Sequence, residues 1–326
     1  MAREKTPAPR RGTPAPLRFL PQAEGFLGLE PEAGPPVQDA RVIVIPFGLE
    51  ATVSYEGGTA RGPEAMLAAS QEVELFDEEF WCEPVARFGV RTLKPVRIAW
   101  PVERALDQLA GIVEAVVTDG RFPFVFGGEH SLTPGAIRPL AERHPDLVLL
   151  HFDAHADLRD GYDGEHYSHA AAIRRCLDDE RLSVVSVGIR NISAEEIPFL
   201  EANRHRIHIH WAVDKAAWDL DAIVAPLAGR PVYVTFDLDG FDASLMPATG
   251  TPEPGGLFWD EALAVLRRAA AVARIVGADI TELAPRAGLH AADFLAAKLA
   301  YKIMSYAMLG APPADAALHR SGAGNR

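Results

Sequence analysis

Three short apolar runs, each closing on a cluster of acids and histidines, constrain this chain more than any other feature of its 326 residues. The first, Leu147-Val148-Leu149-Leu150, is too brief and too sharply bounded for a helix, so it reads as a buried parallel strand. It runs into His151-Phe152-Asp153-Ala154-His155-Ala156-Asp157, where Asp153, His155 and Asp157 alternate. On an extended chain that spacing puts carboxylate, imidazole and carboxylate on one side, where they can converge on a metal ion. The second run, residues 122–126, opens through Gly127 and Gly128 into Glu129-His130-Ser131; the glycines permit a tight turn that leaves His130 at the strand's mouth. The third, residues 232–236, ends in Asp237-Leu238-Asp239 before Gly240-Phe241-Asp242. Together these ends supply two imidazoles and four carboxylates at the carboxyl ends of strands, where open α/β sheets place their ligand sites.

Around these runs, strand-like and helix-like segments alternate, the pattern of a parallel sheet covered on both faces. Residues 40–46 read as the first strand and 95–98 as a short edge strand; 183–187, 206–210 and 275–281 bring the total to about eight. Helices are expected at 103–117, where Leu106, Leu109, Ile112 and Val116 share a face, and at 136–143, 170–177, 260–272 and 291–308. The expected fold is α/β: a three-layer α-β-α domain with a mainly parallel sheet of about eight strands. No linker divides it, and α/β domains of this length are often single. The domain is expected over 26–310, with residues 1–25, which begin basic and Pro-rich, and 311–326 as disordered extensions.

Charge narrows the function. Thirty-two basic against 45 acidic residues give a formal charge of −13, which argues against nucleic acid and anionic membranes and is compatible with a cationic substrate. Cys82 and Cys176 are the only cysteines, too few for a disulfide framework and in keeping with a reducing compartment. No apolar run approaches the roughly 18 to 20 residues that span a bilayer, and the N-terminal stretch lacks the apolar centre of a secretory signal. A cytoplasmic location is expected.

A site of four carboxylates and two imidazoles without thiolate is hard and anionic, suited to two divalent ions and to Mn or Mg over Zn or Cu(I). The three motifs, GGEHS, DAHAD and FDLDGFD, resemble those of the ureohydrolase family, the arginase and agmatinase group. The resemblance runs from about Phe26 to Tyr306 and takes in Thr52-Val53-Ser54-Tyr55 and Gly58-Thr59-Ala60-Arg61-Gly62-Pro63; it is strongest to the agmatinase branch through Ser168-His169-Ala170. The chain departs from the family pattern at Glu129, where many members have Asp, and at Ala243-Ser244, where Pro usually follows directly.

The resemblance implies two Mn(2+) per chain, one held by His130, Asp153, Asp157 and Asp237, the other by His155, Asp153, Asp237 and Asp239. It implies a hydrolase of linear amidine C–N bonds that cleaves agmatine to putrescine and urea by metal-bridged hydroxide attack on the guanidinium carbon, in a homo-oligomer, trimer or hexamer. Asp157 would hydrogen-bond the hydroxide and Glu282 would pair with the guanidinium. His169 would move the proton, a task that suits a histidine titrating near neutrality; His166 is its rival. Asp242 is expected to orient the site, and His151 to pack or support it. His208 and His210 alternate without a carboxylate beside them and read as packing or solvent histidines. Guanidinobutyrase, arginase and formimidoylglutamase are the neighbouring activities; single-zinc deacetylases lack the second metal set, and a non-catalytic metal-binding relative would lack a ligand that is present here. An arginine α-carboxylate would meet the loop 158–167, which has Asp160, Asp163 and Glu165 against Arg159, so a small guanidino substrate with a cationic far end is expected.

Overall fold

A computed structural model describes residues 17–30 and 36–320. Among them, eight strands form one sheet: β1 (Val42–Phe47), β2 (Val90–Thr92), β3 (Phe122–Gly127), β4 (Val148–Phe152), β5 (Ser183–Ile189), β6 (Ile207–Trp211), β7 (Pro231–Asp237) and β8 (Arg274–Thr281). Every pair is parallel, in the order β2-β1-β3-β8-β7-β4-β5-β6. The fold is the α/β architecture read from the sequence.

Alternation along the strands divides the core in two. Val148, Leu150, Phe152, Val232, Val234 and Phe236 pack on one face with the helices Gly62–Ser70, Trp259–Val272 and His290–Leu309. Leu149, Tyr233, Ile43, Ile45 and Val125 point the other way, against Val102–Thr118 and Thr133–Arg143. Strands buried on both faces are apolar at most positions, which is why these runs carry no polar alternation; His151, Thr235 and Asp279 are buried polar exceptions held by hydrogen bonds. Each fully buried Leu, Val or Phe contributes about 1.5–3 kcal/mol.

The expected helices fall where periodicity placed them, within a few residues; the short helices Val85–Phe88, Ile197–Ala202 and Leu220–Val224 were not foreseen, nor was Gly62–Ser70. It buries Met66, Leu67 and Ser70 around Pro63 in its first turn, and its short sequence has no clean apolar stripe. The edge strand lies at Val90–Thr92 rather than 95–98. Pro95 has no N–H to give a ladder, Val96 is exposed, and the residues that register with Val42–Val44 are Val90–Thr92.

The described parts of both expected extensions make contacts with the rest of the fold. Phe19 bridges Leu93 and Phe26 is buried, so residues 17–25 pack on the sheet rather than extending from it. At the other end Ala314–Arg320 forms a helix with Ala316 buried and His319 stacked on Trp81, apolar and aromatic contacts that a Pro-rich lead-in hides from sequence reading. The remainder of the two expected extensions, 1–16 and 321–326, lies outside the described residues. No helix among the described residues is long and apolar enough to cross a membrane.

Candidate metal centre and substrate pocket

Strand register assembles the site. Phe152 of β4 pairs with Phe236 of β7, so Asp153 and Asp237 leave the sheet side by side. Asp237 pairs in turn with Thr281 of β8, which delivers Glu282, and β3 beside β8 delivers His130. Four neighbouring strand ends thus meet at one edge.

The candidate ligands separate into two groups that share Asp153. His130 Nδ1 faces Asp153 Oδ2 at 3.1 Å, Asp157 Oδ2 at 3.1 Å and Asp237 Oδ2 at 3.4 Å. His155 Nδ1 faces Asp239 Oδ2 at 3.1 Å and Asp153 Oδ1 at 3.5 Å. His130 Nε2 contacts Thr235 Oγ1 at 2.8 Å, yet its Nδ1 is buried without a hydrogen-bond partner. An orphaned imidazole nitrogen facing three carboxylate oxygens fits a bound cation, so the donor set suits the metals that the sequence implies.

Electrostatics agree. Burial pushes the Asp157 carboxyl up to about 7, helped by the charge of Asp153. Asp237 is raised well above the carboxylate range by burial and by Asp239 and Asp153; Glu282 is raised by burial and by Glu129. Burial opposes ionisation of Asp153 too, but His151, His130 and His155 hold its carboxyl well below its ordinary value. Burial also opposes charge on His155, but Asp239 and Asp153 raise it to about 12. The polypeptide alone balances its acids with protons, a role that divalent cations fill with more charge. Asp157 and Glu282 also hold left-handed backbones, φ 53° and 66°, a conformation uncommon in non-glycine residues that the surrounding contacts must enforce.

His151 supports the site as expected, and two further supports, Asp279 and Arg190, were not assigned from sequence. His151 lends Nε2 to Asp153 Oδ2 at 2.8 Å while Ser186 Oγ holds its Nδ1 at 3.0 Å, which makes it a support for Asp153. Asp279 is buried and accepts from Thr235 Oγ1 at 2.7 Å, behind His130. Arg190 clamps the following loop by donating to the carbonyls of Asp239 at 2.7 Å, Phe241 at 3.1 Å and Glu253 at 2.9 Å. No local motif marks Asp279 or Arg190; only tertiary packing brings them to the site. Asp242 proves to be a loop anchor. It accepts from Ser244 N and Oγ, Gly255 N and Gly256 N and touches no candidate ligand, because its strand has already turned away after Asp239.

Above the cluster opens a cavity of about 370 Å³, lined at its base by His130, His155, Asp157, Asp237, Asp239 and Glu282. Glu282 Oε1 accepts from His130 N at 2.7 Å. His169 lies on the wall, with Nδ1 2.7 Å from Thr52 Oγ1 and Nε2 2.8 Å from Ser54 Oγ. His166 instead packs on the Arg175 guanidinium at 2.5 and 2.6 Å, outside the cavity lining. Burial, then the positive charges of His155 and His130, lower His169 to about 4, so it is neutral at pH 7 rather than titrating near neutrality.

The acidic loop does not face the cavity as expected. Asp160 turns to the buried Arg175 at 2.9 Å, and Glu165 accepts from Tyr167 N; the loop presents Arg159 and Tyr162 instead, with Arg159 paired to Glu195. The acid at the mouth is Glu56, which sequence reading passed over, its nearest cation Arg286 at 3.9 Å. His208 and His210 lie on β6 at the far edge of the sheet, away from the cavity.

A parallel eight-stranded α/β sheet carrying an acid- and imidazole-lined pocket at its carboxyl edge defines a class, and comparison names it. The arginase family model matches residues 39–306. The N(1)-aminopropylagmatine ureohydrolase of Synechocystis sp. is 36% identical, over 92% of this chain and 96% of that protein. The agmatinase of Bacillus subtilis is 33% identical, over 77% and 86%. The agmatine ureohydrolase structure of Thermoplasma volcanium superposes with a TM-score of 0.75 at 31% identity, covering 84% of this chain and 92% of the other. This chain belongs to the arginase family. Within it the protein is an enzyme, a hydrolase of the ureohydrolase type.

Proposed function

We propose that this enzyme hydrolyses the guanidinium C–N bond of an agmatine-type compound, releasing urea and an amine whose far end is cationic. The observation that carries the reading is the stack of Glu282 and the two imidazole–carboxylate groups at the floor of one cavity. His130, Asp153, Asp157 and Asp237 would hold one Mn(2+), and His155, Asp153, Asp237 and Asp239 the other. When bound, the pair supplies hydroxide at neutral pH.

The chain's own residues do the rest. Glu282, fixed by the His130 amide, accepts two N–H groups of the guanidinium and holds its carbon over the floor. Asp157 orients the attacking oxygen by accepting its proton in a hydrogen bond. Once the carbon–oxygen bond has formed, neutral His169 takes the proton of the newly attached hydroxyl and returns it to the chain nitrogen as the bond to that nitrogen breaks, leaving the urea carbonyl and the free amine. The mouth favours a cation because Glu56 is only loosely paired, whereas the Arg159 charge is already matched by Glu195.

A longer substrate, agmatine with an N(1)-aminopropyl arm, is a second reading. It is supported by the Synechocystis relative's name and near-complete coverage, and by a cavity of about 370 Å³ that reaches from Glu282 to Glu56. Urea release with Mn(II) from agmatine, N(1)-aminopropylagmatine, arginine and 4-guanidinobutyrate decides between them. Both cationic compounds should exceed arginine by at least about 10²-fold in kcat/KM, the cost of leaving one carboxylate unpaired. A preference for 4-guanidinobutyrate overturns the cationic reading. Elemental analysis of reconstituted protein should give two Mn per chain, and saturation at one overturns the paired site.

A further inference from the structure

Behind His169 stand a hydroxyl and a carboxylate that the proposed reaction has not used. Thr52 Oγ1 lies 2.7 Å from His169 Nδ1, 3.1 Å from the His169 backbone N and 3.0 Å from Glu129 Oε1. Glu129 is buried, and donors converge on it: the amides of Ala51 at 2.5 Å and Thr52 at 2.6 Å on Oε2, and the hydroxyls of Ser131 at 2.5 Å and Thr52 on Oε1. A side chain met by that many donors acts as an acceptor carboxylate, and it takes the single proton Thr52 has to give. Thr52 is then left with lone pairs only, one for the His169 amide and one for the ring.

We infer that Glu129 and Thr52 lock His169 as the Nδ1–H tautomer, making Nε2, beside Ser54 in the cavity wall, the nitrogen that takes and returns the proton. The opposite tautomer would require Thr52 to donate to Nδ1, setting its lone pair against Glu129 Oε1 at 3.0 Å. The extra methylene of Glu129, relative to Asp, gives this carboxylate its reach to the backbone of residues 51 and 52. Glu129 and Thr52 are positioning residues. Their effect on turnover rests on the proposed hydrolase reading, but the tautomer does not.

The test uses full-length protein labelled with ¹⁵N-histidine and loaded with diamagnetic Mg(II), with His169 signals identified by their loss in His169→Asn. Nδ1 should resonate as a protonated and Nε2 as an unprotonated ring nitrogen; the reverse overturns the inference. Thr52→Val should lose the single tautomer and lower kcat by about tenfold or more with KM within about threefold, while Thr52→Ser restores both. A Thr52→Val protein with unchanged tautomer and unchanged kcat overturns it. Should Thr52→Val not fold, Glu129→Gln serves: its amide donates to Thr52, so the tautomer should switch to Nε2–H, and an unswitched ring overturns the inference. An Nδ1–H ring in a protein that releases urea from none of the guanidino compounds supports the tautomer and overturns the proposed function instead.

Discussion

A neutral His169 cannot wait as an acid; it must first gain the proton it later gives. That ties its work to the cavity wall and not to the metal ligands, whose nitrogens face carboxylates instead. His169→Ala should therefore keep full metal content, by elemental analysis, while kcat falls on the order of 10²-fold or more. His166→Ala, which loses contacts to Arg175 and Tyr167 outside the cavity, should keep kcat within about threefold. If the two variants exchange behaviours, His166 is the proton carrier. Asp242 makes a different residue-level prediction. Ser244 holds its carboxyl, with the Gly255 and Gly256 amides, down to about 2 against an ordinary 3.8. A carboxyl depressed on folding stabilises the native state above its unfolded value, and that contribution disappears as pH falls through the folded value. The group is partly exposed, so solvent screening limits its worth to about 1 kcal/mol or less. Asp242→Asn should lower the urea midpoint at pH 7, and its deficit relative to the parent should shrink from pH 5 to pH 3.

At the scale of elements, the site depends on how closely the loop after β7 lies on β4. A Cβ on Gly240 would sit 2.8 Å from Asp153 N and 3.1 Å from Phe152 C, backbone atoms that cannot move aside. Gly240→Ala should push Asp239 away from Asp153 and Ala154 and destabilise the fold by about 1–3 kcal/mol, the usual range for overpacking. Denaturant titration and Mn(II) affinity should fall together; a stable variant with normal affinity would show that the loop has slack. The same dependence explains what was legible in the sequence. His130, Asp153, His155, Asp157, Asp237 and Asp239 could be read as candidates because they cluster within a few residues of the ends of three apolar runs, although only Asp153 and Asp237 sit at the strand ends themselves. Thr52, Glu56, Arg190 and Asp279 could not. Thr52 meets His169 across 117 residues, and Glu56 becomes a pocket residue only when its loop is laid against Arg286 and Gly250. The acids of loop 158–167 misled because composition does not say which way a side chain turns, and Asp160 found the buried Arg175.

The whole molecule is acidic, with a formal charge of −13, and its cavity floor adds to that field locally. Asp153, Asp157, Asp237, Asp239 and Glu282 carry five negative charges when ionised; two divalent ions bring four positive ones, leaving a floor close to one negative charge. A bound metal pair therefore nearly neutralises the floor, and the long-range attraction for substrate comes from the surface and from Glu56. Such attraction acts over about a Debye length, near 10 Å at 0.1 M salt, and weakens as salt shortens it. It should appear in the encounter and not in the bond-breaking step, where groups lie in contact and salt cannot intervene. The expected result is that kcat/KM falls about threefold between 0.02 and 0.3 M NaCl while kcat stays nearly constant, and more steeply for N(1)-aminopropylagmatine than for agmatine because it carries one more positive charge. Glu56→Gln should flatten both slopes and reduce the difference between them, measured by urea release at each ionic strength with subsaturating substrate. Equal slopes for the two substrates in the parent enzyme would place the far-end cation beyond the reach of this field, and with it the role given to Glu56.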